Sequence, residues 1–189
     1  MLIATEGVNK TERNYFLEFN RKQDFYRIVL ASGSSTDPIG IVKEAILSYE
    51  KFGLETVSGD IAYAVFDTDF GKEMQIEEAR SLAKKNGIKL ALSNPCFEVW
   101  LMLHFRFSTK GYYSNEEVNA EISKIWPDYR KNISSFESIH SQGKTAINRA
   151  NRLKRFHTET GAKGEIEYCN PSTDVHRIVE LLIDNNKTI

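Results

Sequence analysis

The sequence predicts an α/β fold, a mostly parallel sheet flanked by helices, with a helical C-terminal portion. Three observations predict it. Short apolar runs alternate with amphipathic stretches over residues 1–94 in a βαβαβαβ rhythm. The run Ile61 to Phe66 is apolar throughout, as a strand buried on both faces should be. Beyond residue 94 apolar residues recur at helical spacing instead.

Residues 1–5 read as a short strand ending at Glu6-Gly7. Asn9 or Thr11 can cap the helix that follows, whose apolar face is Tyr15, Phe16 and Phe19. Residues 25–30 read as a second strand, followed by a Ser/Gly loop from Ala31 to Thr36. Asp37 caps a helix with Pro38 in its first turn, running to about Phe52. The third strand is 61–66. A helix from about 73 to 86 stops at Asn86-Gly87. Residues 88–92 form a fourth strand. Further helices are expected at about 115–126, 142–157 and 172–185, with a Gly-bearing loop at 158–170. The whole chain, 1–189, reads as one domain: an α/β core over 1–94 and a mainly helical layer over 95–189. Right-handed crossovers would put functional loops at the carboxyl ends of the strands.

Composition narrows the function classes. Hydrophobic residues make up 41% and charged residues 27%, which excludes wholesale disorder. The net charge of −1 means any nucleic-acid binding must come from a local patch. Cys96 and Cys169 sit in no ligand-spaced cluster, so a disulfide framework is not expected and a reducing cytoplasm is. The longest apolar stretch, around Val99 to Phe105, is too short to span a bilayer. The chain opens almost directly on Leu2-Ile3-Ala4, so an upstream part is expected to be short or missing.

Three acids fall where such a sheet places a site. Glu6 closes the first strand, and Asp67 and Asp69 close the third. An Asp-x-Asp at a strand end points two carboxylates the same way, because side chains alternate with period two. Hard oxygens at that spacing suit Mg²⁺, with Mn²⁺ as a substitute, because Mg²⁺ takes one or two carboxylates and keeps waters for a phosphate to displace. Glu6 can complete the metal shell or act as general acid or base, and Gly7 beside it permits close approach. The competing reading is that these acids are exposed loop residues or helix caps, Asp69 above all.

Four segments resemble the RloB-like family, in the family's order over nearly the whole chain. They are Thr5 to Phe16, Val65 to Asp69, Leu92 to Phe105 (the most specific of the four) and Asn170 to His176. That family is similar to Toprim domains, Rossmann-like folds of phosphoryl transfer. The resemblance implies a glutamate after the first strand and an Asp-x-Asp after a later one, here Glu6, Asp67 and Asp69. It implies that the glutamate moves a proton and the aspartates hold Mg²⁺. It further implies a place in restriction or phage defence, beside a partner ATPase.

Other residues admit blander roles. Glu98 lies four residues after Asn94 in an aromatic-rich run, where a buried acid must be paired or on a metal; it is the fourth candidate catalytic residue. Asn94 is expected to cap a helix starting near Pro95. His104 is expected to be a packed core residue rather than a functional one. Lys10 can contact a phosphate, but an exposed lysine needs no such role. The Ser/Gly loop is a plausible anion cradle, though a flexible loop is the better reading. Gly143-Lys144-Thr145 is no P-loop, since the glycine needed five residues earlier is Ser138. Between Ser141 and His157 the bases Lys144, Arg149, Arg152, Lys154 and Arg155 occur with no acid. They make either a solvated face or a nucleic-acid-binding surface.

The leading functional expectation is a Mg²⁺-dependent phosphodiesterase or nuclease acting on DNA or RNA. The alternative is a non-catalytic adaptor or sensor subunit of a defence complex. A nucleotidyl transferase or small-nucleotide phosphatase is a third reading.

Overall fold

The structure is a computed structural model that describes residues 1–7, 10–20, 26–31, 33–68, 71, 73–131, 136–162 and 169–184. Five strands form one sheet: β1 (Leu2–Thr5), β2 (Val29–Leu30), β3 (Ala62–Asp67), β4 (Lys89–Asn94) and β5 (Ser172–Thr173), in the order β2-β1-β3-β4-β5. The first four are parallel, and β5 is antiparallel to β4. This is the mostly parallel, Rossmann-like arrangement that the sequence rhythm predicts.

Side-chain alternation divides the sheet into two cores. Leu2, Ala4, Ala62, Ala64, Phe66 and Leu92 pack on one face against α2 (Pro38–Lys51) and α3 (Glu73–Lys85). Ile3, Tyr63, Val65 and Ala91 face the other way, into a larger aromatic core. That core takes in α1 (Thr11–Phe19), α4 (Glu98–Met102), α5 (Asn115–Ile125), α6 (Phe136–Ile139), α7 (Gly143–Glu159) and α8 (Val175–Asp184). The helices after residue 94 thus share a core with the sheet. Tyr15, Phe16 and Phe19 are buried as expected, with Tyr15 edge-on to Phe97 at 5.6 Å between centroids.

The local signals hold where a side chain makes them. Asp37 Oδ1 accepts from the Gly40 amide at 2.8 Å and caps α2. Other expectations are corrected. Asn94 does not cap α4; it ends β4, paired with Ser172, and the N-cap position belongs to Phe97 without a side-chain bond. Thr11 is the first residue of α1, not its cap; that position is Lys10, again without a side-chain bond, and Asn9 lies outside the described residues. The helix expected from 172 begins only at Val175, because Ser172 and Thr173 add a strand to β4. Ser93 and Thr173 share a buried hydroxyl–hydroxyl bond of 2.9 Å there.

Candidate functional site

The site forms at the carboxyl ends of β1, β3 and β4. Thr5 pairs with Val65 and Asp67 with Ser93 in the parallel register. Glu6 therefore leaves the sheet at the same end as Asp67, on adjacent strands, although some sixty positions separate them in the chain. Gly7 then turns the backbone through a left-handed φ of 54°. A Cβ there would meet only the Lys10 side chain, at 3.5 Å, so the turn itself calls for glycine rather than a close approach.

Asp67 has the same parity as Tyr63 and Val65, so it points toward the aromatic layer. Two acids from that layer join it. Glu98 stands in the first turn of α4 and is 2% exposed. Glu12 stands in the first turn of α1 and is 6% exposed. Burial raises the Glu12 carboxyl to about 7, and the neighbouring Glu98 and Glu6 carboxylates push in the same direction. Burial likewise raises the Cys96 thiol, assisted by Glu98 and Asp67. These electrostatic neighbours make Glu6, Glu12, Asp67 and Glu98 one acidic cluster.

The cluster carries its own cations. Tyr129 donates its hydroxyl to Glu98 Oε1 at 2.8 Å, and Lys131 Nζ lies 3.7 Å from the same oxygen. Burial works against the Lys131 charge, yet Glu98, Asp67 and Glu12 together hold its pKa above the ordinary lysine value. Lys10 Nζ is 4.0 Å from Glu6 Oε2. Spacing alone does not reveal Tyr129 and Lys131, because they come from an irregular segment after α5. Glu12 was visible in the Thr5 to Phe16 run, but nothing in its spacing marks it as buried.

Asp69 lies outside the described residues. Among the described residues no three histidines, cysteines or acids form a group able to hold a metal ion. The donor chemistry nevertheless fits Mg²⁺. The described ends of β1 and β3 supply two hard carboxylates, Glu6 and Asp67, which is the number the ion asks of a protein. Thr5 Oγ1, one residue before Glu6, is buried with no hydrogen-bond partner among the described residues.

The remaining candidates fall elsewhere. His104 is 3% exposed, with Nδ1 on the Trp100 and Leu101 carbonyls at 3.1 and 3.3 Å. Burial lowers its pKa to about 4, so it is a neutral core residue. The Ser/Gly loop does hold an anion, but one from this chain: the Ser35 amide donates to Glu44 Oε1 at 2.8 Å. Gly143 opens α7 after a 3-10 turn rather than a strand, which agrees with the rejection of a P-loop. On α7, Arg149 donates to the Leu103 and His104 carbonyls at 2.8 and 2.9 Å. It thereby ties off the far end of α4 from Glu98 rather than standing free on a basic face. Arg152 sits 4.0 Å above the Phe107 ring. Lys144 and Arg155 are exposed. No described helix is long and apolar enough to cross a membrane.

No curated protein and no solved structure matches the chain. One family model does, that of the RloB-like proteins, over residues 1–182, and the four sequence segments that resemble the family lie on the elements that build this site or close beside it. The chain belongs to the RloB-like protein family.

Proposed function

We propose that this protein is a Mg²⁺-dependent phosphodiesterase of Toprim type that cleaves nucleic acid in the cytoplasm, in restriction or phage defence. One observation carries the reading: parallel pairing of β1 and β3 sets Glu6 and Asp67 at one sheet end, against the buried acids Glu12 and Glu98. So much negative charge at one place is costly unless a cation compensates it. Family membership fits a role in restriction or defence.

Asp67, Asp69 and Glu6 would hold the ion. Bound Mg²⁺ supplies Lewis acidity to a phosphate oxygen and a more acidic water. Glu6, 14% exposed at its side chain, sits at the edge of the cluster where it can exchange a proton with water or a leaving oxygen. Glu98, held by Tyr129, keeps Lys131 in place as a fixed positive charge beside the acids. Lys144, Arg152 and Arg155 are among the exposed bases of α7 and would meet a phosphate backbone there.

The test is cleavage of plasmid, single-stranded DNA and RNA with Mg²⁺ or Mn²⁺. The expected result is metal-dependent cleavage by the native chain and loss of at least a hundredfold in an Asp67→Ala, Asp69→Ala double variant. Full activity in that variant would sink the reading.

A second reading rests on Lys10 and Lys131, which already neutralise part of the acidic cluster. In it the domain is a non-catalytic adaptor or sensor working with a partner ATPase. It predicts no turnover by the chain alone and co-purification with that ATPase from the native locus.

A further inference from the structure

A second concave site lies along the β4 side of the sheet. β5 covers β4 only at Ser93 and Asn94, and no described strand pairs with the outer edge of β4 at Lys89–Ala91. A cavity of about 590 Å³ opens there, between the C-terminal half of α3 and the C-terminal half of α7. None of Glu6, Glu12, Asp67 or Glu98 lines it.

Its floor and its rim differ in chemistry. The floor is apolar and buried: Ala83, Ile88, Leu92, Ala150 and Leu153, with the Tyr63 ring beside them. The rim is basic. Arg80 and Lys84 come from α3, Lys89 from β4, Lys154 from α7 and Arg177 from α8. Asp174 is the one acid among the described lining residues, and it is already paired with Arg177 at 2.9 Å. The whole chain has 25 lysines and arginines against 26 acids, so this local excess is not a sample of the average surface. Lys84, Lys89 and Lys154 form no ion pair with a described carboxylate. His157 adds a ring whose Nε2 is 2.8 Å from the Pro171 carbonyl.

An edge strand often carries lysine simply to discourage pairing with other chains. That accounts for Lys89. It does not account for Lys84 and Lys154, which reach the same cavity from two helices on opposite faces of the sheet. A volume of this size suits a small ligand, with apolar walls for area and a few polar groups for orientation. A basic rim over an apolar floor matches a molecule that is phosphorylated at one end and flat and apolar at the other.

We propose that this cavity binds a nucleotide, its base against the Leu92, Leu153 and Tyr63 floor and its phosphates at Lys84 and Lys154. The site is separate from the acidic cluster. The experiment titrates the full chain with ATP, AMP and inorganic phosphate in EDTA, by calorimetry and by thermal unfolding. EDTA removes any metal-borne binding at the acids. Nucleotide is expected to raise Tm and to bind at least tenfold more tightly than inorganic phosphate. A Lys84→Ala, Lys154→Ala double variant, both lysines being exposed, is expected to keep the unliganded Tm and to lose at least tenfold in nucleotide affinity. Lys43→Ala on α2, which removes a charge that does not line the cavity, and Asp67→Ala, in the acidic cluster, are expected to bind like the native chain. The proposal is overturned if no nucleotide binds, if phosphate binds as tightly as nucleotide, if the lysine variant binds normally, or if Asp67→Ala abolishes binding.

Discussion

Tyr129 and Glu98 meet through a 2.8 Å hydrogen bond inside the helical layer, the tyrosine hydroxyl donating to a carboxylate that is 2% exposed. A carboxylate among Val99, Trp100 and Leu101 survives folding only with such a donor. Lys131, about half exposed, contributes a screened attraction worth less. Tyr129→Phe is therefore expected to cost about 2 kcal/mol of stability, since it leaves a buried charged acceptor short of a partner. Lys131→Met is expected to cost less than about 1 kcal/mol. Urea unfolding at pH 7 reads both, and a Phe variant as stable as the native chain would show that Glu98 is held by something else.

The acidic cluster predicts a pH dependence through Glu12. Its carboxyl is at about 7 in the fold against 4.5 ordinarily, because burial and its carboxylate neighbours favour the protonated form. Its contribution to stability is fully present below pH 4.5 and is lost as pH rises through 7. The loss is on the order of 2–3 kcal/mol. Glu12→Gln in metal-free buffer should gain stability relative to the native chain as pH rises from 5 to 8. A difference that stays constant across that range would contradict a buried, crowded Glu12.

Two histidines act in the opposite sense. Burial lowers both His104 and His176 to about 4 from 6.5, and each Nδ1 faces a backbone carbonyl. Their stabilisation is full above pH 6.5 and falls as pH drops toward 4, by roughly 3 kcal/mol each at most. Two such groups against one Glu12 mean that native stability should rise between pH 4 and 6.5. Imidazole proton shifts followed by NMR should leave both rings neutral down to about pH 5. Titration of either near 6.5 would show that the ring is open to solvent.

The parts of the fold that bury apolar side chains in regular periods were legible from residues alone. β3 was plain because every inward and outward position from Ala62 to Phe66 is apolar. β5 was not, because a two-residue strand of Ser172 and Thr173 has no period to read and is specified by its partner on β4. Asn94 looked like a cap because caps and strand ends favour the same short polar residues. At the site, Glu6 and Asp67 followed from strand ends, and Glu98 from being an acid in an apolar run. Tyr129 and Lys131 are tertiary partners, and no local pattern announces them. Arg149 shows the limit of reading faces by spacing. It is at the right angle for a basic stripe, yet its guanidinium is consumed by the carbonyls that end α4.

That difference separates the bases of α7 experimentally. Arg149→Ala abandons two carbonyls and is expected to cost about 2 kcal/mol. Arg155→Ala removes an exposed charge and should change stability by less than about 0.5 kcal/mol. If α7 grips a phosphate backbone, Arg155→Ala should weaken nucleic-acid binding in 50 mM salt and lower the salt slope by about 1. Fluorescence anisotropy with a labelled oligonucleotide reads this, and an unchanged slope leaves α7 a plain solvated face.

The acids themselves give the most direct prediction, because function and stability should pull Asp67 in opposite directions. Asp67 contributes to the repulsion that raises the Cys96 thiol and to the field that holds Lys131 charged. Without metal, Asp67→Asn should be as stable as the native chain or more so, since a like charge has gone from a crowded site. With Mg²⁺ at a hundred times its Kd, the native chain should gain about 2.7 kcal/mol, by mass action alone. For a chain of this size that is a rise in Tm of roughly 5–10 °C. Asp67→Asn should lose most of that rise while its metal-free Tm does not fall. Equal Mg²⁺ shifts in both proteins would mean that the ion binds elsewhere. A lower metal-free Tm in the variant would mean that Asp67 serves the fold through its own hydrogen bonds and not a cation.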